Sequence, residues 1–171
     1  MKKNYLTSNP GQTKKIGEIL ATRVIAQAIA KGEEEALASS TKEVLKTKIK
    51  KTAFVIGLEG GLGGGKTTFL QGFAKGLGIK QRILSPTFVI MKNFKISKCR
   101  NFEFFYHIDC YRISKPKEIL DLGFKKIISN SKNIVAVEWA DRIKKILPKN
   151  SLNLEFQFID KNKRKISLSK I

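Results

Sequence analysis

Phe54-Val55-Ile56-Gly57-Leu58-Glu59-Gly60-Gly61-Leu62-Gly63-Gly64-Gly65-Lys66-Thr67-Thr68 carries the strongest fold signal in the chain. A short apolar run, Phe54 to Leu58, feeds a glycine-rich loop, and an amphipathic segment opens at Lys66. The loop fits G-x-x-x-x-G-K-[ST] in the setting where that pattern has physical meaning, between a strand and a helix N-terminus. Glycines let the backbone curl so that successive N–H groups point inward at phosphate oxygens, where side chains would block the approach. Lys66 supplies a mobile ammonium for β- and γ-phosphates, and the Thr67 hydroxyl suits Mg²⁺. The positive end of the following helix faces the same anion. The pattern predicts a nucleoside triphosphate site.

Upstream, Ile16, Ile19, Leu20, Val24, Ile25 and Ile29 recur at helical spacing and predict a helix over 13–30. After the acidic Glu33-Glu34-Glu35, a second helical segment is expected over 42–50, the two forming a solvated amphipathic hairpin. Downstream, a helix over 66–77 buries Phe69, Leu70, Phe73 and Leu77 and stops at Gly78. Ser85-Pro86-Thr87-Phe88-Val89-Ile90 reads as a polar turn running into a strand, and Phe102 to Asp109 as another strand. Pro116 starts a short helix that Gly123 ends. Asn133 to Trp139 is a β-branched strand, and the alternation from Leu152 to Leu168 about a turn at 160–163 is a hairpin.

Strands alternating with helices give an α/β fold. The expected architecture is a P-loop NTPase-like sheet with flanking helices, the phosphate loop after the first strand, and a C-terminal β-hairpin. Its 171 residues suit a single domain, with a helical N-terminal region (1–51) and a core (52–171). Two cysteines, Cys99 and Cys110, are too few for a disulfide framework and read as free thiols of a reducing cytoplasm. No signal-peptide core or membrane-length apolar run is present in the sequence, so a cytoplasmic protein without membrane association is expected. The net charge of +20 is consistent with an RNA-facing surface. It is equally consistent with a compositional bias, because 28 lysines against 6 arginines are spread over nearly every segment.

Three further features fall where a triphosphate site needs them. Asp109 ends an apolar strand, the position of an acid that holds a Mg²⁺-bound water, and also a common position for a turn former. Glu138 ends another strand on the same sheet edge, where it can ligate metal or polarise water. Ser85-Pro86-Thr87 follows the first core helix, where a hydroxyl reaches a γ-phosphate as a switch or forms a rigid turn. Trp139 stacks on a ligand or caps the core, and Arg112 pairs with a phosphate or with Asp121. No Asn-Lys-x-Asp is present to read a guanine edge, so ATP is the expected nucleotide.

Taken together, Gly60 to Thr68, Ser85-Pro86-Thr87-Phe88, His107-Ile108-Asp109-Cys110-Tyr111-Arg112 and Glu138-Trp139 resemble the ordered signature of the TsaE family. That resemblance spans roughly residues 54 to 160. It implies a Mg²⁺-dependent ATPase that acts with two partner proteins, TsaB and TsaD. The assembly places a threonylcarbamoyl group on the adenosine beside the anticodon of tRNAs reading A-starting codons, with tRNA engaged through the complex. The acyl transfer belongs to TsaD.

By motif, Lys66 and the loop Gly60-Gly61-Leu62-Gly63-Gly64-Gly65-Lys66-Thr67-Thr68 hold the phosphates. Thr67 and Glu138 are metal-side residues, Asp109 is the second acid, Thr87 is the switch hydroxyl, and Trp139 joins the site. The family's N-terminal Thr, close to the adenosine, maps to Thr13. Gly61 stands where the family carries an acid, Gly64 where it carries Ala, and Ala140-Asp141 where it often has Pro and an acid. The segment 31–51 exceeds the family's usual link. A small-molecule kinase on the same fold would need an arginine-bearing lid and an acceptor pocket. A module that only gates assembly would need no hydrolysis.

Overall fold

The computed structural model describes residues 3–39 and 52–170. Among them one mixed sheet is formed by β1 (Lys3–Thr7), β2 (Phe54–Glu59), β3 (Met91–Lys95), β4 (Phe104–Asp109), β5 (Asn133–Glu138), β6 (Leu152–Phe158) and β7 (Arg164–Lys170). The spatial order is β1-β7-β6-β2-β5-β4-β3. The helices are α1 (Pro10–Ser39), α2 (Lys66–Gly76), α3 (Pro116–Asp121) and α4 (Phe124–Ser129), and a 3-10 helix, Ala140–Ile146, follows β5. β2, β4, β5 and β6 run parallel, while β1, β3 and β7 are antiparallel to their neighbours.

The central parallel strands β2, β5 and β4 are largely apolar on both sides, as a sheet covered on two faces requires, whereas β6 alternates. On β5, Ile134 and Ala136 face α1 and α2, while Val135 and Val137 face α3, α4 and the 3-10 helix. On the first face α2 buries Phe69, Leu70 and Phe73 completely, with Leu77 just beyond its end. The α/β sheet with flanking helices and the hairpin β6–β7 match the sequence expectation.

Four details differ. An edge strand, β1, precedes the glycine loop's strand, so that loop follows the second strand in chain order. β1 pairs with β7 and leaves most of its side chains in solvent, which is why its sequence lacks an apolar pattern. Helix α1 runs unbroken to Ser39, with no hairpin break through the acidic patch; the expected helix over 42–50 lies outside the described residues. A second short helix, α4, follows Gly123, whose φ of 83° turns the chain where α3 stops. Residues 86–90 form a turn instead of strand, because the Pro86 carbonyl accepts the N–H groups of Val89 and Ile90 at 2.9 and 2.6 Å. The strand starts only at Met91.

The buried line of α1 also departs from the largest apolar residues. It follows Thr13, Gly17, Ala21 and Val24, while Ile19 and Ile29 are exposed. Small residues let α1 and α2 touch backbone to backbone. A Cβ on Gly72 would stand 1.8 Å from the Lys14 carbonyl oxygen, and one on Gly17 would stand 2.2 Å from that of Phe69. Gly72→Ala must therefore push the two helices apart, and is expected to cost at least about 1–3 kcal/mol of stability. Ile19→Ser, on the exposed side of α1, should stay within about 0.5 kcal/mol of the parent. Urea unfolding checks both, and an unchanged midpoint for Gly72→Ala would refute the tight seam.

Candidate functional site

The carboxyl ends of β2, β4 and β5 meet along one sheet edge, and the glycine loop leaves β2 there. Gly60 holds φ at +125°, and a Cβ on it would stand 2.1 Å from the Phe156 carbonyl oxygen, so the position admits only glycine. Helix α2 begins at Lys66, whose first-turn N–H groups have no acceptor within the helix. The Lys66 ammonium is buried and donates to the carbonyls of Gly60 and Gly61 at 2.6 and 2.9 Å. It also lies 4.0 Å from the Trp139 ring centroid. Burial pushes this ammonium below the usual lysine range, and the charges of Glu138, Asp109 and Asp141 pull it back up.

Glu138 is the register partner of both Leu58 and Asp109, which puts the two acids side by side. The Thr67 hydroxyl donates to the Glu138 carboxylate, with its oxygens at 2.8 and 3.0 Å. The same Oε1 lies 2.8 Å from Nε2 of the fully buried His107. Asp109 Oδ2 accepts from the Ser85 hydroxyl and from the Thr87 hydroxyl, the latter at 2.6 Å, and Oδ1 accepts from the Tyr111 N–H at 2.8 Å. Asp109 thus fastens the 85–87 turn to the end of β4. Trp139 leaves β5 with φ of 59°, a left-handed conformation uncommon for any residue but glycine, and its ring meets that of Tyr111 at 5.1 Å.

These groups line a cleft of about 460 Å³ that brings together Lys66, Thr67, Thr87, Asp109, Glu138 and Trp139. Leu62, Gly63, Gly64, Gly65 and Thr68 also border it, whereas Gly60 and Gly61 lie behind the lysine. Thr13 also borders it, beside Gly65, although the loop's first glycine is 47 residues further along the chain; its hydroxyl is 3.0 Å from that of Thr7. Sequence reasoning missed Asn9, Pro10, Tyr111, Lys161, Asn162 and Arg164, which complete the walls. Arg164 donates to the Gly63 carbonyl at 3.0 Å, tying hairpin to loop. Pairing of β6 with β2 brings the hairpin to the loop, and pairing of β1 with β7 brings Asn9 and Pro10 beside them. Arg112 meets neither Asp121 nor the loop, and packs over the exposed Phe88 ring, 4.7 Å from its centroid.

The donor set fits a small hard cation: the Thr67 hydroxyl and the Glu138 carboxylate already face each other, and both are oxygen ligands. It offers no soft ligand, since the nearby Cys110 thiol is fully buried.

The family described as "Threonylcarbamoyl adenosine biosynthesis protein TsaE" matches residues 8–166 of the chain. The chain belongs to the TsaE family. TsaE of Bacillus subtilis is 37% identical over 117 residues, covering 68% of this chain and 70% of the relative. TsaE of Rickettsia felis is 34% identical over 141 residues, covering 82% of this chain and 77% of the relative. The crystal structure of Bacillus subtilis YdiB superposes with a TM-score of 0.68 at 27% identity, covering all of this chain (100%) and 86% of that one. TsaE proteins take part in threonylcarbamoyladenosine biosynthesis in tRNA, and the chain has their P-loop fold.

Two departures from the TsaE signature have a visible setting. Nothing lies within 4 Å of where a Cβ on Gly61 would stand, so the family's acid has no packing partner to lose here. A Cβ on Gly64 would stand 3.0 Å from the Gly61 carbonyl oxygen, so this loop path favours glycine over the family's Ala. Among the described residues no helix is long and apolar enough to cross a membrane.

Cys110 adjoins Asp109, and burial together with the Asp109 and Asp141 charges pushes its thiol up to about 12. A native protein at pH 8 should therefore show no fast reaction of Cys110 with a thiol reagent such as DTNB, and full reaction once denatured. Rapid labelling of the folded chain at Cys110 would refute this.

Proposed function

We propose that the chain is a Mg²⁺-dependent ATPase that serves tRNA threonylcarbamoyladenosine synthesis together with TsaB and TsaD, in the cytoplasm. The observation that carries this reading is the convergence of Lys66, Thr67 and Glu138 on one cleft at the carboxyl ends of parallel strands. That is where an α/β sheet places its ligand.

In this reading the loop amides and the α2 N-terminus take the phosphate oxygens, and Lys66 turns its third N–H toward them. Thr67 and Glu138 hold Mg²⁺, which when bound neutralises charge on the β- and γ-phosphates. Asp109 stands behind, holding Thr87 at the cleft wall. As the strand-tip carboxylate facing the loop, Glu138 is also the group positioned to orient an attacking water. Trp139 and Tyr111 close one side against solvent, and Thr13 with the hairpin turn forms the wall nearest the nucleoside. TsaB and TsaD are expected to raise a slow intrinsic hydrolysis.

Lys66→Ala should abolish ATP binding, read as the loss of a fluorescence change from Trp139, the chain's single tryptophan. Glu138→Ala should keep binding and lower hydrolysis by about 10²-fold or more, as for loss of a positioned catalytic acid or base. In cells depleted of their own TsaE, neither variant should restore the modified nucleoside. Restoration by Glu138→Ala with failure of Lys66→Ala would replace the ATPase reading with that of a nucleotide-gated assembly module.

A further inference from the structure

We infer that His107 is the positioning residue for Glu138, acting through the carboxylate and never touching nucleotide itself. This rests on the ATPase reading above. Strand β4 places His107 level with Ala136 on β5, and Asp109 level with Glu138. His107 and Glu138 are therefore diagonal neighbours on one face of the sheet, within reach of two long side chains. Ala136 makes that reach possible, because its methyl leaves the path between imidazole and carboxylate open.

The burial and the bonding of His107 both point to Glu138. The imidazole is completely buried, stacks beside Phe105 with ring centroids 6.5 Å apart, and does not border the cleft. Its Nε2 lies 2.8 Å from Glu138 Oε1, and its Nδ1 is buried with no hydrogen-bond partner among the described residues. A histidine kept only for packing would place both nitrogens in bonds, or would be replaced by an apolar ring of the same size. Here one nitrogen goes unsatisfied while the other is spent on a single carboxylate oxygen.

A carboxylate accepts and does not donate, so Nε2 carries a proton toward Oε1. The Nε2–H fixes Oε1 from within the core, and the Thr67 hydroxyl reaches the same carboxylate from the loop side. Two donors from two elements leave Glu138 one orientation, with its remaining lone pairs toward the cleft. Outer-shell bonds of this kind commonly set a ligating carboxylate's affinity and activity.

His107 is the only histidine in the chain, so imidazole ¹⁵N spectra report it without ambiguity. The full-length protein should show a slowly exchanging Nε2–H, and its resonance should move on adding Mg²⁺ and ATP. His107→Phe keeps the volume and removes the donor, whereas His107→Gln keeps a donor near the same place. His107→Phe should weaken Mn²⁺ binding to the protein–ADP complex, read by electron paramagnetic resonance, by about 10–100-fold. It should lower kcat to a similar degree and leave KM for ATP near the parent value, and His107→Gln should recover most of both.

An Nε2 that carries no proton, or a His107→Phe protein with parental Mn²⁺ affinity and kcat, would overturn the assignment. So would a His107→Gln protein as impaired as His107→Phe, because packing alone would then explain the loss. A parent protein that neither binds nor hydrolyses ATP would instead count against the proposed activity, with the spectra still deciding the His107–Glu138 link.

Discussion

Parallel pairing of β2, β5 and β4 sets the geometry on which the remainder of the molecule is arranged. Leu58, Glu138 and Asp109 fall in one row across three strands, so the glycine loop that leaves β2 emerges level with both acids. Register in such a sheet is enforced by apolar contact on both faces, and a slip of one residue would turn Ile134 and Ala136 to the wrong side. It would also turn Glu138 away from Thr67. Core packing and site geometry are thus one constraint, because the alternation that buries Val135 and Val137 is the alternation that presents Glu138.

Electrostatics follow from that row. Asp109, Glu138 and Lys66 are all buried, an arrangement that costs free energy unless each charge meets partners. The ammonium meets two carbonyls and an aromatic face, Asp109 meets two hydroxyls and an amide, and Glu138 meets a hydroxyl and an imidazole. In a chain of net charge +20 the acids also concentrate negative charge at one sheet edge amid basic surroundings.

Most of the half that forms the cleft was legible in the sequence because it is written in short contiguous motifs. The β2–loop–α2 unit, the acids ending β4 and β5, and the β6–β7 hairpin each follow from local pattern and turn chemistry. What local pattern could not carry was long-range pairing. β1 has no amphipathic signature, since its place at the edge comes from β7, more than 150 residues later. The α1 seam was legible only in part: Ile16, Leu20, Val24 and Ile25 pack on the core, but Gly17 and Ala21 contribute closeness instead of bulk and leave no apolar signal. The contacts of Arg164 and of His107, which the signature includes but gives no role, were opaque for the same reason: each is made to an atom supplied by a distant segment.

The bond from Arg164 to Gly63 spans 101 residues, and Ser167 reaches Asn4 across 163. A ribosome that has delivered β2, the loop and α2 has therefore made a cradle that still lacks the acids of β4 and β5, the Tyr111–Trp139 side and the hairpin wall. The hairpin must emerge before β1 finds its neighbour and before Thr13 and the Lys161–Arg164 turn frame the cleft. Contacts so far apart along the chain close slowly. The cleft is consequently complete only when the last strand of the sheet is in place.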